Sequence, residues 1–108
     1  MNIDWSFHAQ DQLAGILRTI AFNLSYNDAV RWRLKINDNL TPLADFPESC
    51  PNIQPKCFYE IPPYVNRLRQ LIIKPYRIIY ESVDDQIHVL AILHSHQLIT
   101  ERDTLWDK

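Results

Sequence analysis

Two histidines near the end of the chain are the residues best suited to acid–base chemistry. His94 and His96 are separated by a single serine, and imidazole titrates near neutral pH, so the pair could supply an acid and a base. Arg69 and Arg77 belong to two predicted strands and offer cations that can bind a phosphate. The alternative is that both arginines are ordinary cations at the edge of a sheet.

The two cysteines do not indicate a metal centre. Cys50 and Cys57, combined with His94 or His96, match no spacing typical of zinc sites. In a reducing cytosol, two cysteines are by default free thiols rather than a disulfide. We therefore predict neither a metal nor any other cofactor for this chain.

The composition is that of one modest globular domain. The chain has 108 residues, of which 46% are hydrophobic and 22% charged, and this suits a single domain over residues 1–108. Its net charge of −2 differs from the basic balance of proteins that bind nucleic acid mainly through phosphates. No apolar run is long enough to span a bilayer and no secretion signal opens the sequence. We predict a cytoplasmic protein without membrane contact.

The first half of the sequence predicts a strand followed by a helical hairpin. Polar and apolar residues alternate at 2–5, and apolar residues then recur at helical spacing over 7–24. A second helix, capped by Ser25 or Asn27, has apolar residues three and four apart and ends near Pro42. The apolar stripes of the two helices need another layer to cover them.

The second half predicts an irregular segment and then three strands. Prolines are concentrated between residues 44 and 64, so this part is expected to be ordered but non-repetitive. Strands are predicted at 66–73, 76–83 and 86–93. The resulting fold class is α+β, with the N-terminal strand and the helical hairpin packed on one face of a mainly antiparallel sheet.

Residues 98–108 fit two interpretations, a helix lying over the sheet or a loose tail. Thr100 and Asp103 have the spacing of a capping box, which marks the start of a helical turn. Leu105 and Trp106 would then anchor this C-terminal segment to the rest of the domain.

Asp84 and Asp85 are expected to form the two-residue turn of a hairpin, in which Glu81 faces His88. In this register one face of the hairpin is apolar and suits the helices. Its members are Tyr76, Ile78, Tyr80, Ile87, Val89, Ala91 and Leu93. The other face mixes charged and aliphatic residues, namely Arg77, Ile79, Glu81, His88, Leu90, Ile92, His94 and His96. Its large aliphatic residues require a partner molecule or a covering tail.

The order and spacing of these segments resemble one protein family along nearly the whole chain. The segments LADFPE (43–48), RQLII (69–73), PYRIIY (75–80) and IHVLAILH (87–94) follow one another as in the RelE/ParE superfamily of bacterial type II toxin–antitoxin toxins. The chain is closer to the ParE branch. The resemblance implies the RelE/ParE-like α+β fold and a toxin that a cognate antitoxin binds and neutralises as a hetero-oligomer.

The resemblance also implies one of two activities. ParE-like toxins inhibit DNA gyrase without catalysis of their own, and Arg69, Arg77, His94 and His96 would then contact the target. RelE-like toxins are endonucleases that cut mRNA on the ribosome, in which case Arg77 would stabilise the phosphate while His94 and His96 move protons. A third alternative is a non-toxic family member that acts as a binding module. LHSHQ (93–97) motivates it, because ParE-like proteins usually have LHGRR there.

The contact with the antitoxin is predicted at the mixed face of the hairpin. Ile79, Leu90 and Ile92 of this face are assigned to it, because large aliphatic side chains on an open sheet face favour a partner. Tyr76, in the same strand as Ile79, is assigned to the antitoxin contact as well. The grooves of the helical hairpin offer a second place where an amphipathic segment of the antitoxin can bind.

Overall fold

The structure is a computed structural model, and it describes residues 2–108. Its centre is a four-stranded sheet with strand order β1-β4-β3-β2, in which β1 is parallel to β4 and the other neighbours are antiparallel. The elements are β1 (Asn2–Trp5), α1 (Phe7–Asn23), α2 (Tyr26–Leu40), β2 (Arg69–Ile73), β3 (Tyr76–Val83) and β4 (Gln86–His94). The predicted α+β fold is confirmed. Among the described residues no helix has the length and apolar character to cross a membrane.

A serine begins each of the two helices. Ser6 Oγ accepts a hydrogen bond from the Ala9 N–H at 3.0 Å, and Ser25 Oγ accepts one from the Asp28 N–H at 3.0 Å. Each bond satisfies a backbone donor that has no partner within its own helix. Of the two caps expected for α2, Ser25 is therefore the one used. The Ser25 hydroxyl, together with Arg31, lowers the pKa of the Asp28 carboxyl.

The first hydrophobic core lies between the helices and the sheet. Side chains of α1, α2 and the short 3₁₀ turn Thr41–Ala44 meet those of β3 and β4, and removing this apolar surface from water stabilises the fold. Its buried members are Ala9, Ile36, Leu40, Leu43, Ile73, Ile78, Tyr80, Ile87, Val89 and Ile92. The helical hairpin therefore covers one face of the sheet, as the apolar stripes predict.

A second core covers the opposite face of the sheet. Parts of the irregular segment 44–64 and of the C-terminal segment 98–108 lie over this face. The buried members are Ile53, Phe58, Leu68, Ile79, Leu90, Ala91, Leu93 and Ile99. The sequence predicts that a partner molecule or a tail covers the mixed face. In the structure, segments of the chain itself cover this face.

The turn of the β3–β4 hairpin forms where the sequence predicts it. Asp84 and Asp85 have φ values of 49° and 61°, and a type I′ turn requires positive φ at both positions. Aspartate tolerates this left-handed conformation better than most residues because its side chain can bond locally. Glu81 pairs with His88, so the predicted register is confirmed next to the turn.

Further from the turn, β4 contains one more residue than β3. Tyr80 pairs with Val89, whereas Ile79 pairs with Ala91, so Leu90 has no opposite residue and forms a β-bulge. From the bulge onward, the predicted register is wrong by one residue. Since side chains alternate between the faces of a strand, this shift places the residues of β4 beyond the bulge on the face opposite to the predicted one.

The bulge changes which side chains face the helices. Ile92 and His94 lie on the helical side, where Ile92 joins the first core and His94 pairs with Tyr76. Ala91 and Leu93, predicted for that side, are instead buried in the second core. The prediction for these four residues is corrected accordingly.

Polar groups at the start of α1 stabilise the bulge. Strand β1 ends at Trp5, so β4 loses its backbone neighbour at the position of the bulge. The Ser6 hydroxyl donates to the Leu90 carbonyl at 3.1 Å, and the Ile92 N–H donates to Gln12 Oε1 at 2.9 Å. These two bonds satisfy backbone groups that the sheet leaves unpaired.

The C-terminal segment begins with the predicted capping box. The Thr100 N–H donates to Asp103 Oδ2 at 3.0 Å, at the start of the 3₁₀ turn Glu101–Thr104. Asp103 is 6% exposed, and its other oxygen lies 2.7 Å from His8 Nε2. These contacts join the end of the chain to α1, which excludes the loose-tail interpretation.

Trp106 anchors the same segment to the sheet. Its ring stacks on His88 with a centroid distance of 3.8 Å and an interplanar angle of 6°. Leu105, the other predicted anchor, is 40% exposed and so contributes less to this attachment than Trp106 does.

Candidate functional site

The two predicted site histidines lie side by side at the exposed end of β4. The ring centroids of His94 and His96 are 5.3 Å apart, with an angle of 30° between the planes. The His94 N–H donates to Gln97 Oε1 at 2.9 Å, which fixes the turn that carries His96. The structure therefore brings two of the four predicted target-binding residues together on an exposed surface.

Other aromatic rings continue from this histidine pair toward α2. Tyr76 meets His94 edge to face at 6.2 Å between centroids, and Trp32 of α2 meets Tyr76 in the same way at 5.3 Å. The Lys35 ammonium lies 4.9 Å from the centre of the Trp32 ring, within the range of a cation–π contact. We call this row of five residues, from Lys35 to His96, the aromatic strip.

The β-bulge is the reason that the aromatic strip exists. Without the extra residue at Leu90, His94 would point to the face opposite Tyr76, as the regular alternation of the sequence predicts. The sequence therefore predicts the histidines and Tyr76 as site residues but not their contact, and it assigns neither Trp32 nor Lys35 to a site. The sequence feature that could have identified Trp32 and Lys35 as neighbours is their helical spacing, since the two residues lie one turn apart in α2.

A groove runs beside the aromatic strip, between α1 and the end of β4. Its volume is about 490 Å³, and its walls include Asp11, Gly15 and Thr19 of α1 together with Tyr76 and His94. The groove is shallow and mixed in polarity, which suits a segment of another macromolecule better than an enclosed small molecule.

Arg77 lies inside the protein rather than on the predicted surface. It is 6% exposed, and its Nη2 group donates to the carbonyl of Gln97. The Nε group has no hydrogen-bond partner among residues 2–108. The guanidinium of Arg77 is thus used to fix the turn after β4, and its predicted exposure to a target is wrong.

Arg69 is also engaged within the chain. Its Nη1 group donates to the carbonyl of Cys50 at 2.6 Å, so the guanidinium holds the irregular segment against β2. Nearby, the Tyr80 hydroxyl donates to the Pro47 carbonyl at 2.8 Å, and burial raises the pKa of that hydroxyl. Arg69 therefore has a structural role, although part of its side chain still reaches solvent.

Three of the four residues predicted to contact the antitoxin are inaccessible. Ile79 and Leu90 are 0% exposed in the second core, and Ile92 is 2% exposed in the first core. The prediction that they form an open surface is wrong, because the C-terminal segment covers the sheet face and the bulge turns Ile92 inward. Tyr76 is partly exposed in the aromatic strip.

A group of exposed apolar side chains lies instead on the helical hairpin, at the end of α1 and the start of α2. Phe22 is 90% exposed and Tyr26 76% exposed, and Leu24 and Val30 continue the patch. We call these four residues the hairpin patch. An apolar concentration of this kind on the surface of a small domain usually marks an interaction site.

A groove between α1 and α2 adjoins the hairpin patch. Its volume is about 280 Å³, and it is lined by small apolar residues such as Ala14 and Ala29 and by two arginines, Arg18 and Arg33. The sequence predicts grooves on the hairpin but does not identify these residues as their lining. Phe22 was a signal in the sequence, since it lies outside the helical spacing of the apolar residues of α1.

Comparison with known proteins agrees with this architecture. The sequence model of the family described as "ParE toxin of type II toxin-antitoxin system, parDE" matches residues 3–99. A solved structure described as "Chromosomal ParDE TA system from P. aeruginosa" superposes with a TM-score of 0.68 at 19% identity, covering 87% of this chain and 95% of that chain. At this identity the similarity concerns the fold alone. No curated protein matches the sequence significantly.

The family match extends over nearly all of the residues that build the fold. It includes β1, both helices, the irregular segment and the β3–β4 hairpin, and ends at residue 99, just before the last 3₁₀ turn. The aromatic strip and the hairpin patch both lie within the matched part. The chain belongs to the ParE toxin family of type II toxin–antitoxin systems.

Proposed function

We propose that this ParE toxin inhibits DNA gyrase by binding it, and that a cognate antitoxin neutralises the toxin by occupying the hairpin patch. The observation that carries the proposal is the engagement of both predicted arginines within the fold. Arg77 is buried beneath the turn at Gln97, and Arg69 binds the Cys50 carbonyl. A function that depends on binding suits such a surface better than the cleavage of a phosphodiester bond.

Cleavage of RNA requires cations that contact the scissile phosphate in the transition state. In the RelE-like mechanism Arg77 would be that cation, yet its guanidinium is directed to a backbone carbonyl inside the protein. The exposed pair of His94 and His96 is the observation that keeps mRNA cleavage as a second candidate. Histidines can move protons, but they do not replace the missing contact of Arg77 with a phosphate.

The aromatic strip is the surface that we assign to the contact with gyrase. It combines exposed imidazoles with half-buried aromatic rings, and such residues often dominate the binding energy of protein interfaces. His94 and His96 keep the target-binding role predicted from the sequence. Arg69 and Arg77 support this surface from within, because one holds the irregular segment and the other the turn that follows His94.

The hairpin patch is the surface that we assign to the antitoxin. Its exposed apolar residues and the adjoining groove fit the apolar side of an amphipathic helix. Arg18 and Arg33 flank the groove, so acidic residues at the edges of that helix would complement them. Of the antitoxin contacts predicted from the sequence, only Tyr76 is accessible, and it lies at the aromatic strip.

Expression of the toxin in a bacterial host without antitoxin tests the proposal. We expect arrested growth and gyrase-linked DNA breaks while ribosome-bound mRNA stays intact. Cleaved mRNA with intact DNA, abolished by His96→Ala, would establish the second candidate instead. Healthy growth at good expression levels would mean that the chain is a non-toxic member of its family.

A pair of variants tests the antitoxin surface separately. Tyr26→Glu places a charge in the hairpin patch and is expected to weaken antitoxin binding about tenfold or more, while gyrase inhibition stays unchanged. Tyr59→Glu is the matched control, since Tyr59 is 72% exposed in the irregular segment. Equal effects of the two substitutions on antitoxin binding would contradict the assignment.

A further inference from the structure

Two lysines stand at opposite ends of the aromatic strip. Lys35 lies over Trp32 at the α2 end, and Lys74 is exposed in the turn before Tyr76. The Ser95 N–H donates to the Pro75 carbonyl at 2.8 Å, and this bond holds the turn of Lys74 beside the turn of the histidines. One end of the molecule thus combines two ammonium groups with the aromatic rings and imidazoles of the strip.

This arrangement contrasts with the charge of the whole chain, which is −2. Near Trp32, the carboxylate of Asp28 is already neutralised, because Arg31 forms an ion pair with it and the Ser25 hydroxyl donates to it. Asp11 is the acidic residue in the groove behind His94. Lys35 and Lys74 form no ion pair within residues 2–108, so both ammonium groups remain available to a ligand, although the protein is acidic overall.

We propose that the aromatic strip binds single-stranded DNA, with bases stacked on its rings and phosphates held by Lys35 and Lys74. The inference deepens the proposed function and rests on it, because gyrase acts on DNA and a toxin bound to gyrase would lie next to that DNA. At the aromatic strip, the toxin would then contact the DNA of the gyrase–DNA complex as well as gyrase.

The chemistry of the strip favours DNA over an acidic peptide. Exposed rings with adjacent cations are the two elements by which proteins hold single strands without reading sequence. Lysine is a point charge that suits phosphate, whereas recognition of a carboxylate typically uses the two-pronged guanidinium of arginine. The cations at the strip are the ammonium groups of Lys35 and Lys74, and the neighbouring Arg31 is occupied by Asp28.

Binding of a fluorescein-labelled oligonucleotide to the purified full chain tests the inference. We use a mixed-sequence single strand and the matching duplex at several salt concentrations. The single strand is expected to bind more tightly, and its affinity to fall as salt rises. Lys35→Gln and Lys74→Gln should each reduce the steepness of log affinity against log salt by about 0.7. Lys56→Gln, an exposed lysine in the irregular segment, is the control and should change nothing.

A second pair of variants separates stacking from charge. His96→Leu removes the outermost ring and is expected to weaken binding of the single strand about tenfold, whereas His96→Phe keeps a ring and should retain most of the affinity. Loss of affinity in both variants would overturn the stacking role. Circular dichroism of both proteins shows whether the fold is kept, and His96 is exposed, so neither change disturbs a core.

Three results would overturn the inference. The first is the absence of oligonucleotide binding. The second is that Lys56→Gln and Lys35→Gln change the salt dependence of binding equally. The third is that a polyglutamate peptide binds as strongly as the oligonucleotide and loses as much affinity through His96→Leu. If gyrase is still inhibited in any of these cases, the proposed function stands without the DNA contact. If the oligonucleotide binds but gyrase is unaffected, the proposed function fails on its own.

Discussion

The guanidinium of Arg77 is a charge held inside the protein, and its bond to the Gln97 carbonyl fixes the turn after β4. Burying a cation costs free energy unless hydrogen bonds replace its contacts with water. Here Nη2 has a carbonyl partner, whereas Nε has none among residues 2–108. The residue therefore contributes by positioning the turn that follows His94 and by packing its alkyl chain beside the second core.

Substitution of Arg77 tests this structural role. Arg77→Ala removes the bond to Gln97 and leaves a cavity, so we expect the free energy of unfolding to fall by about 1–3 kcal/mol. Urea denaturation measures the change. Arg31→Ala is the control, since the Arg31 side chain is 74% exposed and should matter far less. Similar losses for the two variants would contradict the account.

The two predicted arginines also show what a residue pattern leaves open. Alternation along a strand correctly places Arg77 on the face opposite the helices, but it cannot tell whether solvent, a partner or another part of the chain covers that face. The covering segments have no periodicity, so their path follows from tertiary contacts such as the bond from Arg69 to the Cys50 carbonyl. Both arginines therefore stabilise the fold of the toxin and do not contact its target directly.

At the scale of elements, the bulge in β4 decides which side chains reach the site. One extra residue turns Ile92 and His94 toward the helices and brings His94 against Tyr76. The bulge is stabilised from outside the hairpin, by Ser6 and Gln12 at the start of α1. The geometry of the aromatic strip thus depends on a helix whose polar residues lie far away in the sequence.

Gln12→Ala tests that dependence. The Ile92 N–H would lose its partner inside the protein, and we expect the free energy of unfolding to fall by about 1–3 kcal/mol. Amide chemical shifts from Ile92 to His94 should move as well. Gln10→Ala is the matched control, because Gln10 lies on the same helix and donates to the Trp5 carbonyl through an exposed bond. Unchanged shifts in the Gln12 variant would show that the bulge forms without this contact.

Sequence patterns predicted the strands and helices well but not this bulge. The type I′ turn at Asp84–Asp85 and the serine caps depend on residues within a few positions, so local sequence is sufficient to find them. The bulge depends on Gln12, which is 80 positions from Ile92, and a regular alternation is the simplest extrapolation without it. Because the predicted register was wrong beyond the bulge, the contact between His94 and Tyr76 could not be predicted either.

At the scale of the molecule, the C-terminal segment joins the end of the chain to its beginning. The Asp107 carboxylate accepts hydrogen bonds from the Phe7 N–H at 2.7 Å and the His8 N–H at 3.0 Å. Arg102 pairs with the same carboxylate at 2.6 Å. A negative charge at the N-terminus of α1 is favoured by the free N–H groups there and by the helix dipole. Asp107 and Arg102 lie beyond residue 99, where the family match ends.

The ion pair of Asp107 predicts a dependence of stability on pH. Arg102 first, and then the N–H groups of Phe7 and His8, lower the pKa of Asp107 below its ordinary value of 3.8. Because the folded state holds the ionised form, the stabilisation is complete above pH 3.8 and is lost as pH falls through the lower folded-state pKa. Asp107→Asn should therefore be less stable than the wild type at pH 7.

Thermal unfolding of both proteins between pH 7 and pH 2 measures this difference. The gap between their melting temperatures should narrow as pH decreases below 3.8 and close at the acid end of the range. Asp45→Asn, a substitution at an exposed residue outside the C-terminal segment, is the control and should show no such gap. A gap for Asp107→Asn that stays constant with pH would contradict the role of the charge.

The central claim is that this ParE toxin acts by binding gyrase, and purified components test it most directly. The toxin is mixed with gyrase, ATP and plasmid DNA, and linear DNA is counted after protein denaturation, with and without the cognate antitoxin. We predict that linear DNA accumulates with the toxin, that His94→Ala/His96→Ala reduces it, and that the antitoxin prevents it. Normal supercoiling with no linear DNA, at toxin concentrations that saturate the antitoxin, would contradict the account.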